Sequence, residues 1–301
     1  MKRRDFLSGS IAATAAAGVA PSALLASERL KPAPVLAAQT PAIPRKINGR
    51  IKQSVCRWCF GGMKLADLCK AAKDMGMVSV ELLNPDEFAT AKEHGLTCAV
   101  ASFVKSNPIN KGFNRLENHD AIVADLEQRL PIVKAAGIPA QIVFSGNRAG
   151  QSDAEGIKNC AVGLKRITPL AEKLGITLVM ELLNSKIDHK DYQCDKTPWG
   201  VELCKAVGSP RFKLLYDIYH MQIMEGDVIR TIRDNFDYIG HYHTAGVPGR
   251  NEIDLTQELN YKAICEALVE KKYDGYLGQE FMPAKKDGMA SLREAFIICD
   301  V

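Results

Sequence analysis

Four acid or imidazole side chains stand at the ends of short apolar runs in the second half of this sequence. They are Glu181 in ITLVMELL (176–183), Asp217 in FKLLYD (212–217), His243 in YIGHYHTA (238–245) and Glu280 in GYLGQEF (275–281). One acid at a strand end is an ordinary helix cap or ion-pair partner. Four on successive strands differ, because three carboxylates and an imidazole gathered in one place repel or stay desolvated unless a cation neutralises them. The chemistry expected is that of one divalent metal ion. Such oxygen-rich donors favour Mn2+ or Mg2+, with Zn2+ or Co2+ as alternatives, over metals that seek thiolate. His241 and His243 share a strand face by alternation, and His243, nearer the C-terminal end, is the preferred ligand.

A cation there would stabilise the enediolate left when a proton departs from a carbon beside a carbonyl. Glu181 and Glu280 are the expected pair that takes and returns that proton. Return to the neighbouring carbon is isomerisation, return to the opposite face of the same carbon is epimerisation, and loss of a β-hydroxyl is dehydration. The same four residues serve all three.

Such residues converge only if the strands that carry them do. The chain repeats a strand-then-helix pattern eight times, with strands at 54–60, 78–83, 96–103, 140–145, 176–183, 212–217, 238–245 and 275–281. Short apolar strands alternating with amphipathic helices specify a parallel sheet. Glycines in AAG, KLG and AVG mark helix ends. Eight units predict a single α/β domain, a (β/α)8 barrel over 46–301, whose strand ends share one mouth. An open doubly wound sheet is the competing arrangement, and the first strand lacks its G-x-G-x-x-G. The long connections 104–118 and 184–197 would lie over the mouth.

Residues 1–45 stand apart. Arg3 and Arg4 precede Phe6, Leu7 and a weakly hydrophobic Ala-rich run, followed by Pro32, Pro34, Pro41 and Pro44. This reads as a twin-arginine export signal and linker, implying the export machinery as partner and a periplasmic location. The apolar run is shorter than the ~20 residues of a membrane span. The chain of 301 residues is 47% hydrophobic, with a formal charge of +4 and a mean hydropathy of −0.10. That charge, much of it N-terminal, is no nucleic-acid footprint. Nine cysteines give no disulfide framework. Cys56 and Cys59, taken within strand 54–60, would point to opposite faces and suit neither zinc nor redox chemistry.

The stretches MELLN, YDIYH, GHYHTAGVPGR and GQEF resemble the xylose-isomerase-like superfamily of (β/α)8 barrels over 50–298, most of all its hydroxypyruvate isomerase branch, with the ketose 3-epimerases close by. The resemblance implies that Glu181, Asp217, His243 and Glu280 bind one divalent metal, that the two glutamates exchange protons with substrate, and that His220 and Arg250 contact it. Departures exist: the isomerase branch tends to carry Gln where this chain has His243, and the epimerases carry a second Glu where it has Ile187.

Other residues are candidates by type and place. Arg250 could clamp a carboxylate, the alternative being a loop-surface arginine. Trp58 could pack a sugar face, whereas Phe60 suits the core. Asn184 and Lys186 on the covering loop could bind hydroxyls. Glu81 is a mouth residue or a structural ion pair. The function expected is a metal-dependent isomerase or epimerase of small hydroxy-carbonyl compounds, in a monomer or homo-oligomer. The alternatives are a keto-sugar or inosose-type dehydratase, a non-catalytic sugar-binding barrel and, with six histidines against it, a nuclease.

Overall fold

A computed structural model describes residues 46–301; the export signal read in 1–45 lies outside the described residues. Eight parallel strands form one sheet: β1 (Lys52–Cys56), β2 (Ser79–Glu81), β3 (Val100–Ala101), β4 (Ala140–Val143), β5 (Thr177–Leu182), β6 (Phe212–Asp217), β7 (Ile239–Thr244) and β8 (Tyr276–Gln279). Their order is β2-β1-β8-β7-β6-β5-β4-β3. The two edges meet through parallel bridges Ser79–Thr97 and Leu83–Ala101, which bring the ring to closure. The expected (β/α)8 barrel is therefore the fold.

The strands form because their residues are buried on both sides, as parallel strands between a barrel interior and a ring of helices must be. Leu178, Val179 and Met180 of β5 and Leu214 and Leu215 of β6 are fully buried, each large apolar side chain contributing about 1.5–3 kcal/mol. Helices α1 (Leu65–Met75), α2 (Phe88–Glu93), α3 (His119–Ala135), α4 (Asp153–Leu174) and α5 (Thr197–Val207) follow the first five strands. Ser152 caps α4 by accepting from the Glu155 N–H, and Gly175 ends it at φ +71°, a conformation that carries no Cβ penalty only for glycine.

The connection after β6 departs from expectation. In place of one helix there are two, α6 (Ile218–Met224) and α7 (Val228–Asn235), separated where Gly226 and Asp227 adopt positive φ. Asp217 ends β6 and also caps α6, its Oδ1 accepting from the His220 N–H at 3.1 Å. Helices α8 (Tyr261–Glu270) and α9 (Gly288–Cys299) complete the ring.

The first strand is also shorter than expected. The chain leaves the sheet after Cys56 and turns as a 3-10 helix over Arg57–Phe60, closed by the Arg57 guanidinium on the Phe60 carbonyl. Trp58 and Phe60 therefore sit on this turn and not on the strand. Cys56 faces the barrel interior at the end of β1, and Cys59 lies on the turn. All nine cysteines are free thiols. No helix among the described residues is long and apolar enough to cross a membrane.

Candidate active site

Parallel closure brings the ends of β5 to β8 to one mouth. Register sets Asp217 level with His243 and Glu181 level with Leu215, two residues earlier on β6. Glu280 stands just past β8, its N–H bonded to the Thr244 carbonyl. Ligand atoms of Glu181, Asp217, His243 and Glu280 all lie within 4.8 Å of one another, and all four residues are buried. His243 Nδ1 is 2.9 Å from Glu280 Oε2 and 3.4 Å from Glu181 Oε1. Neither approach is aligned as a hydrogen bond, so Nδ1, Glu181 Oε1 and Asp217 Oδ2 are buried polar atoms without a hydrogen-bond partner. Buried polar atoms are rarely left so. Donor atoms of this kind, converging in one place, fit a divalent cation.

The charges agree. Burial, then the charge of Glu280, raise the Glu181 carboxyl above its usual range. Burial raises Asp217 well above its own despite the attraction of Arg250. Burial works against ionised Glu280 too, but His243 and Arg250 outweigh it and hold that carboxyl well below the usual range. For His243, burial opposes the imidazolium and the neighbouring Glu280 more than restores it. The protein's own cations thus satisfy one carboxylate, and two remain short of positive charge.

Arg250 reaches this cluster from the β7–α8 loop. Its guanidinium is 2.7 Å from Glu280 Oε2 and 3.5 Å from Asp217 Oδ2. It stacks over Trp58 and Tyr219, with 5.0 and 5.6 Å to the ring centroids. Its backbone holds φ +59°, fixed by bonds from its N–H to Gly246 O and from the Met282 N–H to its carbonyl. Trp58 Nε1 donates to Glu280 Oε1 at 2.8 Å, so this indole orients a carboxylate as well as facing the mouth.

The remaining candidates stand elsewhere. His220 is fully buried behind Asp217, with Nε2 at 3.7 Å from Asp217 Oδ2 and Nδ1 at 2.7 Å from the Asn184 amide. Burial and then the nearby Arg250 charge depress its basicity well below the usual range. Asn184 is also fully buried; its Oδ1 accepts from the N–H groups of Ile187 and Asp188. It holds His220 and the covering loop and offers nothing to a hydroxyl in the mouth. Lys186 also stands apart from the cluster. Its Nζ leaves the mouth and donates to the Ile223 and Met224 carbonyls at 2.8 and 3.0 Å, groups that the end of α6 leaves free.

Residues 69–295 match the family of xylose isomerase-like TIM barrels. The chain belongs to this family. It is 38% identical over 109 residues to a 2-oxo-tetronate isomerase of Cupriavidus necator, a match spanning 36% of this chain and 41% of that protein. It is 28% identical over 244 residues to a 2-oxo-tetronate isomerase of Pectobacterium atrosepticum, covering 76% and 92%. It is 32% identical over 142 residues to the hydroxypyruvate isomerase of Escherichia coli, covering 42% and 55%. The first and last of these matches span less than two-thirds of the relatives' length. Among solved structures, an AP endonuclease of family 2 from Brucella melitensis aligns with TM-score 0.72 at 22% identity, covering 80% of this chain and 97% of that one. The 3-keto-D-glucoside 4-epimerase of E. coli aligns with TM-score 0.69 at 19% identity, covering 82% and 98%. These two likenesses show the shared fold.

In this xylose isomerase-like barrel the mouth opens into a cavity of about 340 Å3, whose polar lining is Glu181, Glu280, Arg250, Trp58 and His189. The rest of the wall is carbon: Leu82, Phe103, Ile109, Ile142, Phe144 and Leu183, with Ser102 among them. Sequence reasoning missed that wall, since its residues come from the ends of β2, β3, β4 and β5 and from the 104–118 loop, and each reads singly as core. It missed His189 too, a loop histidine with no motif around it. Glu81 resolves toward the ion-pair alternative: its Oε1 lies 2.7 Å from His243 Nε2 and 2.8 Å from His241 Nε2. His241 therefore faces Glu81, behind the four-residue cluster.

Proposed function

We propose that this protein is a metal-dependent isomerase of small hydroxy-carbonyl compounds, working by proton transfer through an enediolate. The observation that carries the reading is the convergence of Glu181, Asp217, His243 and Glu280 within 4.8 Å at the edge of a cavity that two of them line. The names borne by the curated relatives, hydroxypyruvate isomerase and 2-oxo-tetronate isomerase, support the substrate class.

Glu181, Asp217, His243 and Glu280 would hold the cation, which when bound supplies the positive charge that polarises a carbonyl and its adjacent hydroxyl. Glu181 and Glu280 project into the cavity from different strands and so approach a carbon from two directions. One carboxylate removes the proton beside the carbonyl, the other returns a proton to the former carbonyl carbon, and the hydroxyl proton passes to the former carbonyl oxygen. The raised basicity of Glu181 favours its holding a transferred proton, while His243 and Arg250 favour the anionic form of Glu280, which is fixed by the Trp58 N–H. Arg250 presents its guanidinium to the cavity and can bind an anionic substrate group. The carbon wall keeps water from the enediolate.

A second reading is favoured by the cavity itself. At about 340 Å3 it falls within the range of pockets that take ligands well beyond three carbons. A keto-sugar epimerase or dehydratase would use the same glutamates. The Arg3–Arg4 segment supports export of the folded, metal-loaded protein. The deciding experiment is metal analysis of the purified protein, followed by a panel of 2-hydroxy-carbonyl acids and keto-sugars in D2O. Deuterium at the carbon beside the carbonyl is the expected result, and product structure separates isomer, epimer and dehydrated product. Absence of exchange across the panel with metal bound would overturn the isomerase reading.

A further inference from the structure

Glu81 takes no part in the chemistry above, yet among the described residues it is the only carboxylate that touches the far side of His243. It closes β2 and is completely buried. Its Oε1 accepts from His243 Nε2 at 2.7 Å and from His241 Nε2 at 2.8 Å, and the Cys56 thiol approaches the same oxygen at 3.7 Å. The sheet order puts β1 and β8 between β2 and β7, so this contact crosses the inside of the barrel over two strands.

Register explains how the crossing is possible. Cys56 of β1 is level with Glu81, and Gly278 of β8 is level with His243. The two intervening positions thus carry a small side chain and none. A Cβ at Gly278 would stand 2.5 Å from Glu81 Oε1 and 2.8 Å from His243 Cδ2. The glycine of the GQEF stretch therefore leaves room for a carboxylate–imidazole contact.

We infer that Glu81 is a positioning residue, whose carboxylate holds a proton of His243 on Nε2, so that Nδ1 is the nitrogen left to give up its proton and turn a lone pair toward a cation among Glu181, Asp217 and Glu280. An imidazole offers one lone pair when neutral, and which nitrogen carries it follows from the hydrogen bond that the other makes. His241 completes the device by donating to the same oxygen, which fixes the Glu81 rotamer between two N–H groups. This inference rests on the proposed cation site.

The test is Mn2+ affinity, measured by calorimetry on the full chain stripped of metal, for wild type, Glu81→Gln and Glu81→Leu. Thermal unfolding of each metal-free protein is recorded beside it. Nitrogen-15 spectra of the Zn2+-loaded proteins report the His243 tautomer, assigned by the resonance lost in His243→Gln. Glu81→Leu removes the acceptor and is expected to weaken Mn2+ binding about 10–100-fold and to lose the Nε2–H signature. Glu81→Gln keeps an acceptor oxygen and is expected to recover most of the affinity. Wild-type affinity in Glu81→Leu with Nε2 still protonated would overturn the inference and leave the cation site standing. Absence of Mn2+ binding by wild type would instead overturn the cation site, and the role of Glu81 with it. Should Glu81→Leu fail to fold, Glu81→Ala removes the same acceptor with less bulk, and wild-type affinity and tautomer in that variant would overturn the inference.

Discussion

Arg250 is the residue whose removal separates substrate binding from proton transfer. Its guanidinium is mostly buried, 13% exposed, and shares Glu280 Oε2 at 2.7 Å and Asp217 Oδ2 at 3.5 Å with any cation bound there. Arg250→Ala removes no proton-transfer group. The backbone at this position is held independently of the side chain, by Gly246 O and the Met282 N–H, so the loop should keep its course. Two consequences follow. A hydrogen bond to a charged partner is worth about 1.5–3 kcal/mol; for a carboxylate substrate that is roughly a 10- to 150-fold rise in KM at about 1.4 kcal/mol per tenfold. Affinity for the divalent cation should hold or increase, because one competing positive charge has left Glu280 and Asp217. The assay is steady-state KM for an anionic hydroxy-keto acid and for a neutral ketose of similar size, with Mn2+ affinity measured in parallel. An unchanged KM for the acid would remove Arg250 as an anion clamp. A large loss of Mn2+ affinity would show that the guanidinium supports the cation site, contrary to the charge argument.

Glu280→Gln retains the size of the side chain but places an amide where Glu280 accepts from Trp58 and Arg250; solvent deuterium exchange into substrate should fall by about 10²–10⁴-fold or more, and normal exchange would refute the two-glutamate route. Gly278→Ala forces a methyl against Glu81 and His243; overpacking should cost about 1–3 kcal/mol by denaturant unfolding, with metal content falling beside it. Removing residues 1–45, read as a targeting segment, should leave the thermal unfolding midpoint of the barrel nearly unchanged, and a large drop would show that the segment is structural.

The alternation of strand and helix was legible because each element carries its own period, and the four strand-end residues were legible because parallel topology turns position along a strand into position in space. What the sequence concealed has two physical origins. Local backbone choices decided the first: SVCRWCF is apolar enough to extend, yet the chain bends after Cys56 into a 3-10 turn, and the apolar helix pattern after β6 hides the break at Gly226 and Asp227. Non-local partners decided the second. Lys186 looked available for hydroxyls until α6 ended within its reach, and Asn184 until His220 was found against it. Glu81 meets His243 across 162 residues of sequence, and no local pattern announces a pairing that depends on an intervening glycine two strands away.

The division of the cavity bears on which substrates it takes. Charged and hydrogen-bonding groups come from β1, β5, β7 and β8 and their following loops, and the six carbon side chains, with Ser102 among them, come mostly from the ends of β2, β3 and β4, another arc of the ring. A hydroxy-carbonyl head belongs on the charged side, next to Glu181 and Glu280. The rest of the molecule must then lie against Leu82, Ile142 and Phe144, where a hydroxyl finds few partners. A polar group desolvated without a hydrogen bond costs about 1–3 kcal/mol, or roughly 5- to 150-fold in affinity at about 1.4 kcal/mol per tenfold. Among ketoses sharing one head group, deoxygenation at the distal carbons should therefore lower KM and leave kcat nearly unchanged, because the proton-transfer end is the same. A matched series of ketoses and their terminally deoxygenated counterparts, assayed for KM and for solvent exchange, tests this. Ile142→Asn, which places an amide in the wall, should narrow or reverse the preference. A wild-type preference for the fully hydroxylated series would mean that the substrate turns its polar tail away from the carbon wall, toward the open mouth.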